Sequence, residues 1–497
     1  MKRDLSDMLA TPGALEGLGP KLRMVASLTW PAIMAQLSNI IMEYIDASMV
    51  GSLGPDQAAS VGLVATTTWL FWGLGYAACT GFAVQVAHLV GAGDDGRARQ
   101  VLRQAVVAVL VLGVVLQAVG LGISGSLPEW LGGGDSIRGD ARDYFAIFAA
   151  GLPFTYFTFL ATTMLRSSGN MVVPGTVNVA MCVMDVIFNF FLIFPTRTVV
   201  LFGAEVAVPG AGMGVAGASL GTCTAYTVGG LYMWWFLIYR HQRLRHPYRG
   251  VGLRKALSTT RTVLTRARDI SWPVALERVV MCGAQILITT IVAPLGNAAI
   301  AANAFAVTAE SLCYAPGYGV GDAATTLVGQ SLGAGRKGIA MSFARISAVS
   351  GMAVMAVLGM VMWVLAPEMM GLFSSDADIL RLGTEALRIE AWAEPMFGAA
   401  IVIYGIFVGA GYTVVPACIN FGSIWLVRIS LSAILAPSYG LQGVWMAMCI
   451  ELCVRGLLFI GVFLHKRWIR RFKPVAVGLS EASEQAGASG DDTPMVL

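Results

Sequence analysis

The chain has 497 residues, 56% of them hydrophobic and 12% charged, with a net charge of +4. A soluble protein of this size carries roughly twice that charged fraction. With a mean hydropathy of +0.71, the composition excludes a soluble globular protein and points to an integral membrane protein.

The opening residues, MKRDLSDMLATPG, are polar and lack the apolar core of a cleavable signal peptide. Residues 1–24 therefore read as a cytoplasmic segment, and the first span acts as its own uncleaved insertion signal. A spanning helix needs about 20 apolar residues. Twelve windows qualify, near 25–50, 60–88, 104–123, 144–165, 172–194, 213–239, 270–293, 298–328, 343–365, 389–409, 414–436 and 440–464. None shows the alternation of an outer-membrane barrel strand. The expected fold is an all-α bundle of twelve transmembrane helices.

Polar residues interrupt these windows in patterns. On helix 1, Gln36, Asn39, Glu43 and Asp46 are spaced 3, 4 and 3, which puts them on one helical face. Helix 5 repeats this with Asn178, Cys182, Asp185 and Asn189, spaced 4, 3 and 4. A carboxylate in the membrane centre costs roughly 2.5–3.5 kcal/mol on insertion scales, so the two stripes should face each other or water. Pairing with buried donors alone is the simpler alternative. Farther along come Glu277 beside Arg278, Glu310, the i, i+4 pair Glu390 and Glu394 on helix 10, and the i, i+4 pair Glu451 and Arg455, which reads as a structural ion pair. His88, where the second half has Gln330, reads as an ordinary hydrogen-bonding residue. The eight cysteines all fall in apolar segments and read as small packing residues.

The sequence is written twice. Shifted by 242 residues, TWP at 29–31 falls on SWP at 271–273, Gly75-Tyr76 on Gly317-Tyr318, Gly91-Ala92-Gly93 on Gly333-Ala334-Gly335, and Gly169 on Gly411. After helix 5 the offset drops to 226, because the first half carries sixteen extra residues around FPTRTVVLFGAEVAVPG. Each copy holds six spans, so both insert in the same direction and form parallel repeats. Two lobes result, residues 25–239 and 270–464, with a cleft between them. In the second copy Asp46, Asp185 and Asn189 are replaced by Ile288, Val427 and Leu431. The acidic cluster thus belongs to the first lobe, and such asymmetry inside a repeat points to chemistry.

Orientation follows from Lys and Arg. With both termini in the cytoplasm, 25 of the 33 lie inside and 5 outside, with Arg278, Arg428 and Arg455 within helices. Residues 240–269 then form a basic linker at the membrane surface that contacts anionic lipid, with no nucleic-acid role. Residues 465–497 form a tail expected to be disordered from about 475 onward. GAGDDGRA and GAGRKGIA end spans and lack the Lys-Ser/Thr step of a phosphate loop, so they read as tight glycine turns.

WPAIMAQLSNIIMEYIDASMVGSLG, the repeated VGQSLGAG-type turns and PGAGMGVAGASLGT resemble the multidrug and toxic compound extrusion family from about residue 20 to 470. The resemblance implies a V-shaped two-lobe bundle and a transporter, not an enzyme, that exports organic and often cationic compounds in exchange for H⁺ or Na⁺, with no cofactor. It carries the family's helix 1 Asp onto Asp46 and a helix 6 Thr onto Thr222. The family's helix 5 Asn-x-x-x-Asp stands here exchanged, as Asp185 and Asn189, which moves the carboxylate by one turn, about 5–6 Å. A helix 7 Glu of some members falls on Met281. The expected coupling-ion site is Asp46, Asp185, Asn189, Thr222 and Glu43, with any Na⁺ held by the first four. The expected substrate cavity is Gln36, Asn39, Asn178, Glu277, Glu310, Glu390 and Glu394. A monomer in the cell's inner, plasma membrane is expected. The alternatives are a lipid or glycolipid flippase, which would line its cavity with basic residues, and a membrane receptor that transports nothing.

Overall fold

The computed structural model describes residues 5–11, 13–201, 204–249, 259–470 and 472, with side chains described outside 198–208. Part of the basic linker and nearly all of the tail expected to be disordered lie outside the described residues.

The spans are α1 Leu18–Gly51, α2 Pro55–Gly91, α3 Asp95–Ser124, α4 Asp135–Ser167, α5 Val172–Ile193, α6 Gly214–Trp235, α7 Arg261–Val292, α8 Asn297–Gly333 and α9 Lys337–Gly371. α10 comes in two pieces, Ala377–Glu390 and Glu394–Gly409, bent by 60°. α11 starts as Val414–Gly422, passes through a π-helical stretch at Ser423–Ile429, and runs on into Ser430–His465. That last helix breaks at Gly440, with φ 59° and ψ −139°, and α12 is the part beyond the break. Nine helices among the described residues are long and apolar enough to span alone, or ten with the bent pair. α6, rich in Gly, Ser and Thr, and the break at Gly440 bring the count to twelve. The sixteen extra residues of the first half form a hairpin between α5 and α6, with β1 Pro195–Leu201 antiparallel to β2 Ala204–Ala211.

Glycine turns recur at the repeat spacing. Gly93 and Gly335 have φ of 76° and 74°, and Gly169 and Gly411 have φ of 93° and 70°, a left-handed backbone open to glycine without strain. After the first of these turns, the Asp94 side chain accepts a hydrogen bond from the Arg97 N–H at 2.9 Å and caps α3.

Each lobe has its own core. Phe82, Phe145, Leu152, Tyr156 and Met164 centre the first, while Trp445, Met362 and Leu387 in one cluster and Phe407 and Phe459 in another centre the second. The lobes meet through exchanged partners: α1 packs on α8, and its repeat equivalent α7 packs on α2. On α1, a Cβ at Gly175 of α5 would come within 2.6 Å of the Pro31 carbonyl, and a Cβ at Gly319 of α8 within 2.6 Å of the Ile33 nitrogen. α1 is therefore gripped closely on two flanks, one in each lobe. α2 and α8 meet just as tightly, since a Cβ at Gly91 would lie 2.0 Å from the Gln330 carbonyl oxygen and one at Gly333 would lie 2.0 Å from that of His88.

Both described chain ends and the α6–α7 connection share one face of the bundle. Arg243 pairs there with Asp7 at 2.7 Å and Asp95 at 3.3 Å, and Phe472 sits edge-on to His88 with centroids 5.0 Å apart. We call this the terminal side.

Candidate functional site

The two polar stripes of the first lobe come together. Asn189 Nδ2 donates to Asp46 Oδ1 at 2.6 Å and to Asp185 Oδ2 at 3.0 Å. Thr222 Oγ1 donates to Asp46 Oδ2 at 3.3 Å, while also lying 3.1 Å from the Ala218 carbonyl of its own helix. α1, α5 and α6 thus each contribute to one cluster. The approach of α6 depends on glycine, because a Cβ at Gly221 would lie 2.0 Å from Asn189 Oδ1. Asp185 and Asn189 are fully buried, and Asp185 Oδ1 and Asn189 Oδ1 have no hydrogen-bond donor. Two carboxylates, Asp185 buried and Asp46 half-buried, share one amide, with acceptors left over. Such a site has more acceptor oxygens than donors and is suited to a proton or a hard cation.

Glu43 is exposed and Asn39 half-buried on the same helix, and neither makes a side-chain hydrogen bond within this cluster. Asn178 is buried one turn and more from Asp185 along α5. Gln36 points elsewhere: its Nε2 donates to Asp322 Oδ2 of α8 at 2.9 Å.

In the second lobe Glu277 Oε1 accepts from Asn420 Nδ2 at 2.6 Å, and its other oxygen has no partner. Glu310 is 6% exposed. Glu390 and Glu394 flank the bend of α10, both fully buried, with all four carboxylate oxygens unpartnered. Glu451 pairs with Arg455 at 3.1 Å, as the i, i+4 spacing suggests. His88 Nε2 lies 2.8 Å from the Gly409 carbonyl and acts as donor there, which is the ordinary hydrogen-bonding role its position suggests.

A third polar cluster was invisible along the sequence. Arg166 Nη1 of α4 pairs with Asp322 Oδ2 at 2.6 Å, joined by Gln36 and by the Tyr76 hydroxyl on Asp322 Oδ1 at 3.3 Å. Arg166 reads in sequence as a cytoplasmic loop charge, yet it is 8% exposed in the last turn of α4. The signal that could have found the pair lies in the repeat, where Asp322 stands opposite Thr80 and Arg166 opposite Val408. Each copy thus contributes to this pair a charge that the other lacks, of opposite sign.

Comparison with known proteins places the fold and the family. The MatE family pattern matches residues 31–191 and again 273–434, the second match beginning 273 − 31 = 242 residues after the first. The probable multidrug resistance protein NorM of Thermotoga maritima is 24% identical over 464 residues, covering 91% of this chain and 94% of that protein. Among solved structures, a MOP superfamily transporter from Pyrococcus furiosus superposes with a TM-score of 0.80 at 18% identity, covering 90% of this chain and 96% of that one. An outward-facing multidrug resistance MATE family transporter does so at 0.81 and 18% identity, covering 91% and 97%. The fold is thus that of the two-lobed, twelve-helix MATE structures, and the chain belongs to the MatE family of membrane transporters.

Proposed function

We propose that this protein is a secondary active exporter of small organic, chiefly cationic, compounds, driven by inward movement of H⁺ or Na⁺ and operating by alternating access of its two lobes. Asp46, Asp185, Asn189 and Thr222 hold the ion, with Glu43 at the approach. The observation that carries this reading is the pair of buried, donorless acceptors Asp185 Oδ1 and Asn189 Oδ1 beside Asp46. Gln36, Asn39, Asn178, Glu277, Glu310, Glu390 and Glu394 supply the negative character of the route taken by a cationic substrate. Residues 25–239 and 270–464 move as the two lobes, and the terminal side faces the cytoplasm of a bacterial inner membrane. The protein acts as a monomer among lipids, without a cofactor.

One elementary charge moving down about 100 mV supplies about 2.3 kcal/mol, enough for roughly a fifty-fold substrate gradient. Coupling by one ion is therefore sufficient. The test is proteoliposome efflux of a fluorescent organic cation under a Na⁺ gradient alone and a pH gradient alone. One of the two should drive efflux by the wild type, and Asp46→Asn should lose that driven component. Wild-type rates in Asp46→Asn would refute the ion site. Gradient-independent movement of labelled lipid would favour a flippase.

A further inference from the structure

Between the lobes lies a cavity of about 110 Å³ whose largely apolar lining includes the polar side chains Tyr76, Arg166, Arg278, Tyr318, Asp322 and Tyr404. Tyr76 and Tyr318 are repeat partners, so the cavity lies where the two copies face each other. Asp322 belongs to the second lobe, yet Arg166, Gln36 and Tyr76, which hold it, all belong to the first. Arg278 shares a lobe with Asp322 and lines the same cavity, but makes no hydrogen bond or ion pair with any described residue. Its stem lies against α2, with Cγ 3.0 Å from where a Cβ on Gly73 would stand.

A guanidinium beside a largely buried ion pair, with no hydrogen-bond acceptor among the described residues and only the adjoining Glu277 as an opposite charge acting on it, is costly inside a membrane and needs a reason. Alternating access supplies one, so the role of Arg278 rests on that reading of the protein's function. Opening the terminal side draws Arg166, Gln36 and Tyr76 away from Asp322 together, because all three ride on the other lobe. Arg278 travels with Asp322. We propose that Asp322 changes partner during transport, pairing with Arg166 across the junction when the terminal side is closed and with Arg278 within the second lobe when it is open. Arg278 is then the waiting partner that spares the open state an uncompensated carboxylate. The repeat position agrees: the first-lobe equivalent of Arg278 is Gln36, a neutral donor already on Asp322.

Hydrogen–deuterium exchange on the purified full chain tests this, read at peptides covering the last turn of α4 and the residues around Asp322. Arg166→Gln should raise exchange there and Arg278→Gln should lower it, each by about tenfold or more, a factor that loss of one partner of a buried pair exceeds. Arg278→Lys should keep wild-type exchange, and Arg278→Gln should add nothing in an Asp322→Asn background. Because Arg278 has no ion-pair partner in the closed form and its charge is costly there, Arg278→Gln should melt at or above the wild-type temperature. Exchange in Arg278→Gln equal to or above wild type, a large loss of its stability, or persistence of its effect with Asn at 322 would each overturn the proposal. If the wild type still exports under a gradient, only the partner change fails; if the wild type exports nothing, the transport reading fails with it.

Discussion

A single amide organises the first-lobe site. Asn189 offers both its hydrogens to carboxylates, one on α1 and one on its own helix, and it is held in place by the bare backbone of α6 at Gly221. Gly221→Ala would put a methyl 2.0 Å from Asn189 Oδ1 and 3.3 Å from its backbone nitrogen. The flexible side chain has to yield and leave at least one carboxylate, a charge-assisted bond worth about 1.5–3 kcal/mol. The ion concentration for half-maximal efflux should therefore rise about tenfold or more, with membrane yield close to wild type. An unchanged ion dependence would show that the amide does not set the site. A second titratable residue, His241, lies beyond α6 on the terminal side. Its Nδ1 accepts from the N–H groups of Arg243 and Leu244 at 3.3 and 3.2 Å, so Nε2 carries the hydrogen toward Ser168 Oγ at 2.9 Å. Burial, and then the neighbouring Arg243 charge, push its pKa down from 6.5 to about 4. Between those values the unfolded turn takes up a proton that the folded one refuses, so local stability falls as pH drops through this window and levels off below it. Amide protection around Ser168 should decline from pH 7 to pH 5, corrected for intrinsic exchange, and His241→Gln should abolish that decline.

Among the helices, the junction where α2 meets α8 and α10, and α8 in turn meets α4, shows how far the repeat extends into structure. His88 Nε2 meets the Gly409 carbonyl at 2.8 Å and Gln330 Nε2 meets the Ser167 carbonyl at 2.8 Å. Both donors and both acceptors are 242 residues apart, so the two bonds are one interaction formed twice. The glycines beside them, Gly91 and Gly333, approach backbone atoms, which cannot swing aside. Gly91→Ala and Gly333→Ala should each lower stability in detergent by about 1–3 kcal/mol, to a similar degree, and the double variant should cost less than their sum because both act on one contact. Strongly unequal effects would deny that the two contacts are equivalent. The glycine turns and repeat spacing were legible in the sequence because they depend on local backbone chemistry. The form of α10 was not: a window at 389–409 suggests one span with Glu390 and Glu394 on one face, whereas the helix begins at Ala377 and bends between them. Pro395, without an N–H and hostile to helix in the residue before it, sits just inside the second piece and accounts for the break. Hydropathy finds the part of a helix that lipid covers and is blind to polar extensions such as the first turns of α7.

For the whole molecule, the two-lobe architecture could be read from self-similarity alone, since a second copy of six spans must insert as the first does. The meeting of Asp46, Asp185 and Asn189 was legible, because helical spacing fixes which residues share a face. The junction between lobes was not, because which face of α4 meets α8 depends on packing of helices far apart in sequence. Arg166 and Asp322 lie 156 residues apart, and no periodicity relates them. Where the copies agree they build the scaffold, and where they differ they place charge: acids in the first-lobe cluster, and Arg166, Arg278 and Asp322 at the junction.

The double grip on α1 has a mechanical outcome. A rod clamped on opposite flanks by separate bodies cannot change its curvature privately, and Pro31 stands at the clamp. Any strain set up in α1 near Asp46 must therefore reach the distant half of the protein as displacement, with no relay of side chains required. Under the proposed exchange mechanism, loosening either clamp would uncouple fuel from cargo while leaving both proposed binding sites whole.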